Sequence, residues 1–305
     1  MPQITENGQP DIQGAVAPRQ QLRILVRGAY SLQKLRIQTG NRIVANFRVK
    51  LGQAPGTAEE ELDDSAKTLL RDLAGRYDLL ADAVAASPRG AAFVGDEVID
   101  SLTDLFLVGQ YVDLERTERE QFVRLGRLLD GYPIWRGFLK GVKGIGPAMA
   151  GVLISEIDVR TARYASSVWR YAGLDVAADG RGRGRFKEHL VKRAYVSLEG
   201  EPKERDSITF NPFLKTKLMG VLAGSFLKQP GSPYRQVYLD YKHRLESHPA
   251  HAEKTKGHRH NMALRYMVKR FLVDLWREWR MLEGLPTPSP YAEAKLGLVH
   301  AGAEQ

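Results

Sequence analysis

A mainly α-helical fold is what this sequence predicts: a helical hairpin or coiled-coil region followed by an α-helical domain containing a helix-hairpin-helix. Three observations carry that expectation. Apolar residues recur at three- and four-residue steps along most of the chain, the spacing of one face of a helix. A Gly144-Ile145-Gly146-Pro147 turn separates two apolar stretches, and proline suits the first position of a helix because its missing N–H would be unpaired there anyway. Residues 19–130 carry neither a convincing alternating strand pattern nor an internal repeat. The 305 residues suffice for one large domain or two modest ones.

Taken in order, residues 1–18 read as a flexible tail, with Gly, Pro and Gln and no periodicity. Residues 19–130 read as a basic-then-acidic helical hairpin or coiled coil. Its first helix spans 19–51, with Leu22, Leu25, Ala29 and Leu32, then Ile43, Phe47 and Leu51, as its apolar positions. A Gly/Pro segment over 52–56 ends it. A second helix is predicted to begin near Thr57, whose hydroxyl can cap it, with Glu59, Glu60 and Glu61 in the favourable first turn. Its stripe is Leu62, Leu69, Leu73, Leu80 and Val84, and residues 87–90 break it. Two further helices are expected over 95–109 and 113–130. The third region, 131–285, carries the helix-hairpin-helix, with one helix ending near Lys143 and the next starting at Pro147. Residues 180–212 read as irregular, 213–228 and 258–282 as two strong helices, and 286–305 as a second flexible tail.

Composition narrows the function. The absence of cysteine excludes disulfide scaffolds, thiol catalysis and Cys-ligated zinc, and fits a reducing compartment. No segment has the ~18–20 apolar residues that span a bilayer, and the N-terminus lacks the layout of a signal peptide. A cytoplasmic, nucleoid-associated protein with no membrane partner is therefore expected. The net charge is +9, and its distribution is uneven. Residues 19–51 hold eight bases and no acid, 59–130 hold 17 acids against eight bases, and 181–280 hold 22 bases against ten acids. Clustered Lys and Arg displace counterions from phosphates, so two basic blocks flanking an acidic one point to a nucleic acid. The plainer alternative is that the blocks merely solvate or pack against one another.

The candidate contacts follow from these blocks. In the turn, Lys143, Gly144, Ile145, Gly146 and Ala148 offer a close backbone approach and the free N–H groups of a new helix to a DNA phosphate; an ordinary packed turn is the alternative. Arg181, Arg183, Arg185 and Lys187 form a Gly-spaced basic run able to fork onto phosphates or stack on bases. Lys215, Lys217, His258, Arg259, Arg265 and Lys269 are basic positions on the two later helices. Arg19, Arg23 and Arg27, spaced four apart, with Lys34 and Arg42, line the first helix and suit an RNA or DNA backbone. In the last helix, Ala263, Tyr266, Met267, Phe271, Leu275 and Trp279 are core by default. Tyr234, Tyr238 and Tyr241 share a helical face, for packing before base stacking. Asp175 with Asp179, and the five histidines from His243 to His260, invite a metal reading, yet two carboxylates four apart in a Gly-rich loop are usually solvated and the histidine intervals match no closed tetrahedral pattern, so no metal ligand is assigned.

Several longer runs carry a resemblance. GIGPAMAGVLISEI (144–157) is followed after a spacer by RYASSVWRYAGL (163–174), FLKTKLMGVLA (213–223), SPYRQVYLDYK (232–242) and HRHNMALRYMVKRFL (258–272). Their order and spacing resemble the C-terminal domain of insertion-sequence transposases of the IS one-ten group, and Leu22–Arg27 followed by Gly40–Val44 is similar to the coiled-coil segment before it. The resemblance covers residues 20–282 and implies action in DNA transposition or site-specific recombination, with a guide-like structured RNA as a further partner. It also implies an RNase H-like domain with metal-binding acids, which is expected to be absent here, since no strand-Asp opening precedes Arg19. The family's nucleophilic serine follows the AGL element. Here that stretch reads GLDVAADGRGRGR, without serine, leaving Ser197 as the one candidate catalytic residue, with Lys192, Arg193 and Arg205 as possible cationic neighbours. An exposed loop hydroxyl is the alternative for both Ser197 and Ser207. Magnesium enters only if the chain is catalytic. The alternative function is a non-catalytic nucleic-acid-binding module derived from such a transposase, working as a homo-oligomer or with a separate catalytic subunit.

Overall fold

The computed structural model describes residues 18–54 and 62–289. The chain is mainly helical, with a single two-stranded sheet among the described residues. It divides into two compact units, one made of Met1–Arg23 and Arg127–Gln305, the other of Ile24–Gly126. The expected tails fall largely outside the described residues, as do Thr57 and Glu59–Glu61.

In the unit formed by Ile24–Gly126, three helices share one core: most of α1 (Arg19–Lys50), α2 (Asp64–Ala86) and most of α3 (Leu102–Leu129). Ile43, Val44 and Phe47 of α1 meet Leu70 and Leu73 of α2 and Leu105, Val108 and Tyr111 of α3. Leu62 also reaches this core, but from the segment before α2. That helix starts six residues later than a cap at Thr57 would place it. Asp63 is its cap, accepting the Ala66 N–H at 2.6 Å, which satisfies one of the N–H groups a helix start leaves unpaired. Val84, expected on the buried stripe, is exposed, while Leu70 is buried.

The two helices expected over 95–109 and 113–130 are a single one. Residues 95–101 are a turn instead, held by Asp96, whose carboxylate accepts both the Val98 and Ile99 N–H groups. Asp, Glu and Ser before Leu102 favour such side-chain-to-backbone bonds over helix. Nothing between residues 109 and 113 breaks α3, because Tyr111 and Val112 continue its apolar face.

In the other unit, α10 (Lys256–Leu282) is the central element. Thr255 caps it through the His258 N–H. Phe271 packs against Phe226, Tyr234 and Phe138, and the buried Arg280 donates to the carbonyls of Val159 and Ala162. Around it lie α4 (Pro133–Gly137), a 3-10 turn over Leu139–Gly141, α5 (Pro147–Glu156), α6 (Ala165–Tyr171) and α9 (Pro233–Ser247). Residues 212–228 are helical throughout, in three pieces: α7 (Pro212–Thr216), a π-helical turn over Lys217–Leu222, and α8 (Ala223–Lys228). Leu214, Leu218, Leu222 and Phe226 are all fully buried along that run.

The region expected to be irregular contains the sheet. β1 (Val191–Val196) pairs antiparallel with β2 (Pro202–Ser207), with Arg193 opposite Arg205 and Tyr195 opposite Lys203. Both strands are exposed on both faces, which removes the apolar alternation by which a strand is read from sequence.

Candidate nucleic-acid interface

The Gly-Ile-Gly turn is preceded by the short α4 and its 3-10 extension rather than by a helix running to Lys143. Gly144 has φ 96°, a conformation glycine adopts without steric cost. Its carbonyl accepts the Ser225 hydroxyl at 2.7 Å, so the turn is anchored to α8. Ile145 is buried beneath it. Lys143, Gly146 and Pro147 are exposed, with Ala148 half-buried. The start of α5 therefore faces outward, with the Ala148 and Met149 N–H groups ahead of the first intrahelical bond, Ala150 N–H to Gly146 O.

The Gly/Arg segment is a loop tied down by side-chain contacts of its own. Arg183 forks onto Asp175 with Nη2 at 2.7 Å. Arg181 bonds Asp179 at 2.5 Å and lies over the Phe186 ring. His189, buried, accepts the Gly184 N–H on Nδ1 and so donates from Nε2 to Asp179. The Arg181 N–H, its guanidinium and His189 hold the Asp179 carboxyl well below the usual carboxylate range. Asp175 and Asp179 are thus counterions within the loop, and among the described residues no group of three or more His, Cys, Asp or Glu could hold a metal ion. Arg185 and Lys187 remain exposed.

Four of the cations singled out from sequence come together on this loop. Lys215 of α7 donates to the Arg183 carbonyl and lies 4.7 Å from the Phe210 ring centre. Lys269 of α10 sits 5.4 Å from the Trp169 ring centre. One turn earlier on the same face, Arg265 lies against Gly182 so closely that a Cβ added there would be 1.5 Å from Nη1. Burial pushes Lys215, Lys269 and Arg265 below their ordinary values; Arg265 lowers both lysines further, and Asp175 alone opposes the shift. Arg265 and the Lys269 ammonium make no hydrogen bond or ion pair among the described residues. Arg183 is paired with Asp175, and the half-buried Lys215 and Lys269 are each acted on by Arg265 and by Asp175, the one carboxylate opposing the shift at both. An anion arriving between these cations would relieve their mutual repulsion.

The other candidates are placed elsewhere. Arg19 pairs with Asp158 at 3.1 Å. Arg23 forks onto the buried Glu156, which also accepts from Asn211 at 2.6 Å. Arg27, Lys34 and Arg42 are exposed on α1. Lys217 lies near the Phe213 ring. Arg259 donates to the carbonyls of His251 and Lys254, while His258 is exposed. Tyr234 and Tyr238 are buried, and Tyr241 stacks on the exposed Tyr266 at 4.1 Å. Ser197 sits in the β1–β2 turn, donating its N–H to the Glu201 carbonyl and accepting the Glu201 N–H on its hydroxyl. Two partners escaped the sequence reading: the Trp169 and Phe210 rings beneath the lysines. Phe210, five residues before Lys215, stands close to a basic stretch, whereas Trp169 lies twelve residues before Arg181 and carries no local signal.

No family model matches the chain, and no curated protein or solved structure matches it either. None of the described helices is long and apolar enough to cross a membrane.

Proposed function

We propose that this chain binds DNA by its phosphodiester backbone, as the nucleic-acid-gripping part of the transposition machinery its motifs resemble. The observation that carries the reading is the gathering of Lys215, Arg265 and Lys269 at the Arg183 loop, where Asp175, already paired with Arg183, is the one carboxylate acting on the two lysines. Half-buried cations without matching carboxylates suit a phosphate, whose arrival restores the charge balance that burial disturbs. The outward-facing start of α5 adds a second backbone contact in the manner of a helix-hairpin-helix. Exposed Arg27, Lys34 and Arg42 give α1, within the proposed coiled-coil region, a basic face for a structured RNA or for DNA. On this reading the chain is a binding module, whose chemistry is supplied by a separate catalytic subunit or a homo-oligomeric assembly.

The test is equilibrium binding to duplex DNA over a salt series, with wild type and the variant Lys215→Gln/Arg265→Gln/Lys269→Gln. Loss of three phosphate contacts flattens the salt slope by about 3. An unchanged slope removes the cluster as the site. An SDS-resistant DNA adduct abolished by Ser197→Ala would replace the binding-module reading with a catalytic one.

A further inference from the structure

The β1–β2 ribbon packs neither face, since both strands are exposed except at Ser207, which is half-buried. A two-stranded hairpin without a packed face is at best marginally stable in water. Its two faces also differ in charge. Side chains alternate along a strand, so one face holds Val191, Arg193 and Tyr195 beside Lys203, Arg205 and Ser207, and the other holds Lys192, Ala194 and Val196 beside Pro202, Glu204 and Asp206. On the second face Lys192 and Asp206 neutralise each other at 2.9 Å. The first face contains no acid. Lys203 reaches out to Glu199 in the turn, but Arg193 and Arg205 meet no carboxylate among the described residues, although the register sets them directly opposite each other. Like charges in that position destabilise a ribbon. Arg205 lies over the Tyr195 ring at 5.3 Å, which keeps its guanidinium extended over the face.

We propose that the Arg193–Arg205 face of this ribbon enters the major groove of duplex DNA, a proposal that rests on the DNA-binding reading above and names the form of nucleic acid it takes. Strands about 4.8 Å apart fit a groove about 12 Å wide, which admits a two-stranded ribbon. Six residues per strand span about 20 Å, the rise of about six base pairs. Both arginines would then lie between two rows of phosphates with guanine edges within reach, and the polyanion offsets their repulsion. The deep, narrow major groove of A-form RNA excludes such a ribbon.

The experiment measures binding of the full chain to a fluorescent DNA duplex, to one of its strands alone and to the same duplex as RNA, over a salt series. Arg193→Gln/Arg205→Gln is compared with Lys192→Gln on the opposite face. The arginine variant is expected to bind the DNA duplex about tenfold more weakly with a salt slope flatter by about 2, to bind the single strand as wild type does, and Lys192→Gln to be unchanged on all three probes. Methyl green, which occupies the major groove, should compete with wild type but not with the arginine variant. Equal losses on duplex and single strand, or an equal loss from Lys192→Gln, overturn the proposal, as does duplex RNA bound as tightly as DNA. Wild type that binds no probe overturns the DNA-binding reading as well, whereas wild-type binding that the arginine variant keeps overturns the ribbon alone.

Discussion

A cluster of cations in each unit shows positive charge treated in opposite ways. Within Ile24–Gly126, three cations are matched: Arg36 meets Glu118 at 2.5 Å, Lys50 bridges Asp100 and Asp104 at 2.6 Å, and Arg76 reaches Asp72, Asp96 and Glu97. The carboxylates Asp96 and Asp104 are held below their ordinary values, Asp96 by the Ile99 and Val98 N–H groups and by Arg76, Asp104 by Lys50 and Ser101, in each case against a desolvation that pushes the other way. In the other unit, burial pushes Lys215, Arg265 and Lys269 downward, and Asp175 opposes the shift at the two lysines. The first arrangement is complete in itself and serves the fold. The second is completed by something else, so the same residue types in one chain carry different meanings.

The largest effect should come from removing an acid in each unit. Glu118 is nearly buried, accepts from both Arg36 and Gln33, and its loss strands Arg36, so Glu118→Ala should destabilise its unit by about 3 kcal/mol. Chemical denaturation followed by far-UV circular dichroism measures this. Asp175→Asn should instead free Arg183 and steepen the salt slope of DNA binding by about 1. Weaker DNA binding by Asp175→Asn would break the comparison, because Asp175 would then belong to the binding surface rather than restrain it.

A smaller effect is expected from pH. In the folded chain Lys215 and Lys269 hold their protons less tightly than at the ordinary 10.5 of the unfolded chain. Between the lowered values and 10.5 the unfolded chain therefore binds more protons, and stability rises with pH across that window. DNA affinity runs the other way, falling across the same window as the ammonium groups are lost. Titrating affinity and stability in parallel should show the opposed slopes, and Lys215→Arg/Lys269→Arg should flatten both. Parallel slopes would mean that the lysines do not face the DNA.

Gly182→Ala should be the mildest change. The new methyl must displace the Arg265 guanidinium, the end of a flexible side chain, so stability should fall by less than about 1 kcal/mol. DNA affinity should fall several-fold, as Arg265 leaves the cluster. Stopped at unchanged affinity, this variant would take Arg265 out of the interface and sharpen the role of the two lysines.

The sequence made some of this legible and not the rest, for physical reasons. Helices α1 and α10 could be read because their buried residues recur at helical spacing over many turns, within a residue or two of the observed ends. The start of α2 could not, because Thr57 and Asp63 are equally good caps by type and only the burial of Leu62 and Leu70 favours one. The ribbon was hidden because a strand with neither face buried has no pattern to read. In the candidate site, Arg183, Lys215, Arg265 and Lys269 were each identifiable as basic positions. Their meeting at one place depends on where a loop, α7 and α10 pack, which no local spacing encodes. Asp175 could be read as a solvated carboxylate or half of a metal site, and its role as the cluster's counterion appears only once Arg183 folds back onto it.

The wide turn over Lys217–Leu222 bears on the orientation of that site. Leu214, Leu218, Leu222 and Phe226 face the core at strict intervals of four, and in an α-helix each such step overshoots a full turn by about 40°. Three steps would swing the row about 120° around the axis and lift one end off the core. The π-helical turn, bonded one residue further along than an α-helix, takes back part of that rotation. It acts as a phase corrector between two short rods. Removing a single residue from it would rotate α7 by about 100° against α8, and Lys215 would swing away from Arg265 of α10 even though no residue of the site had been changed.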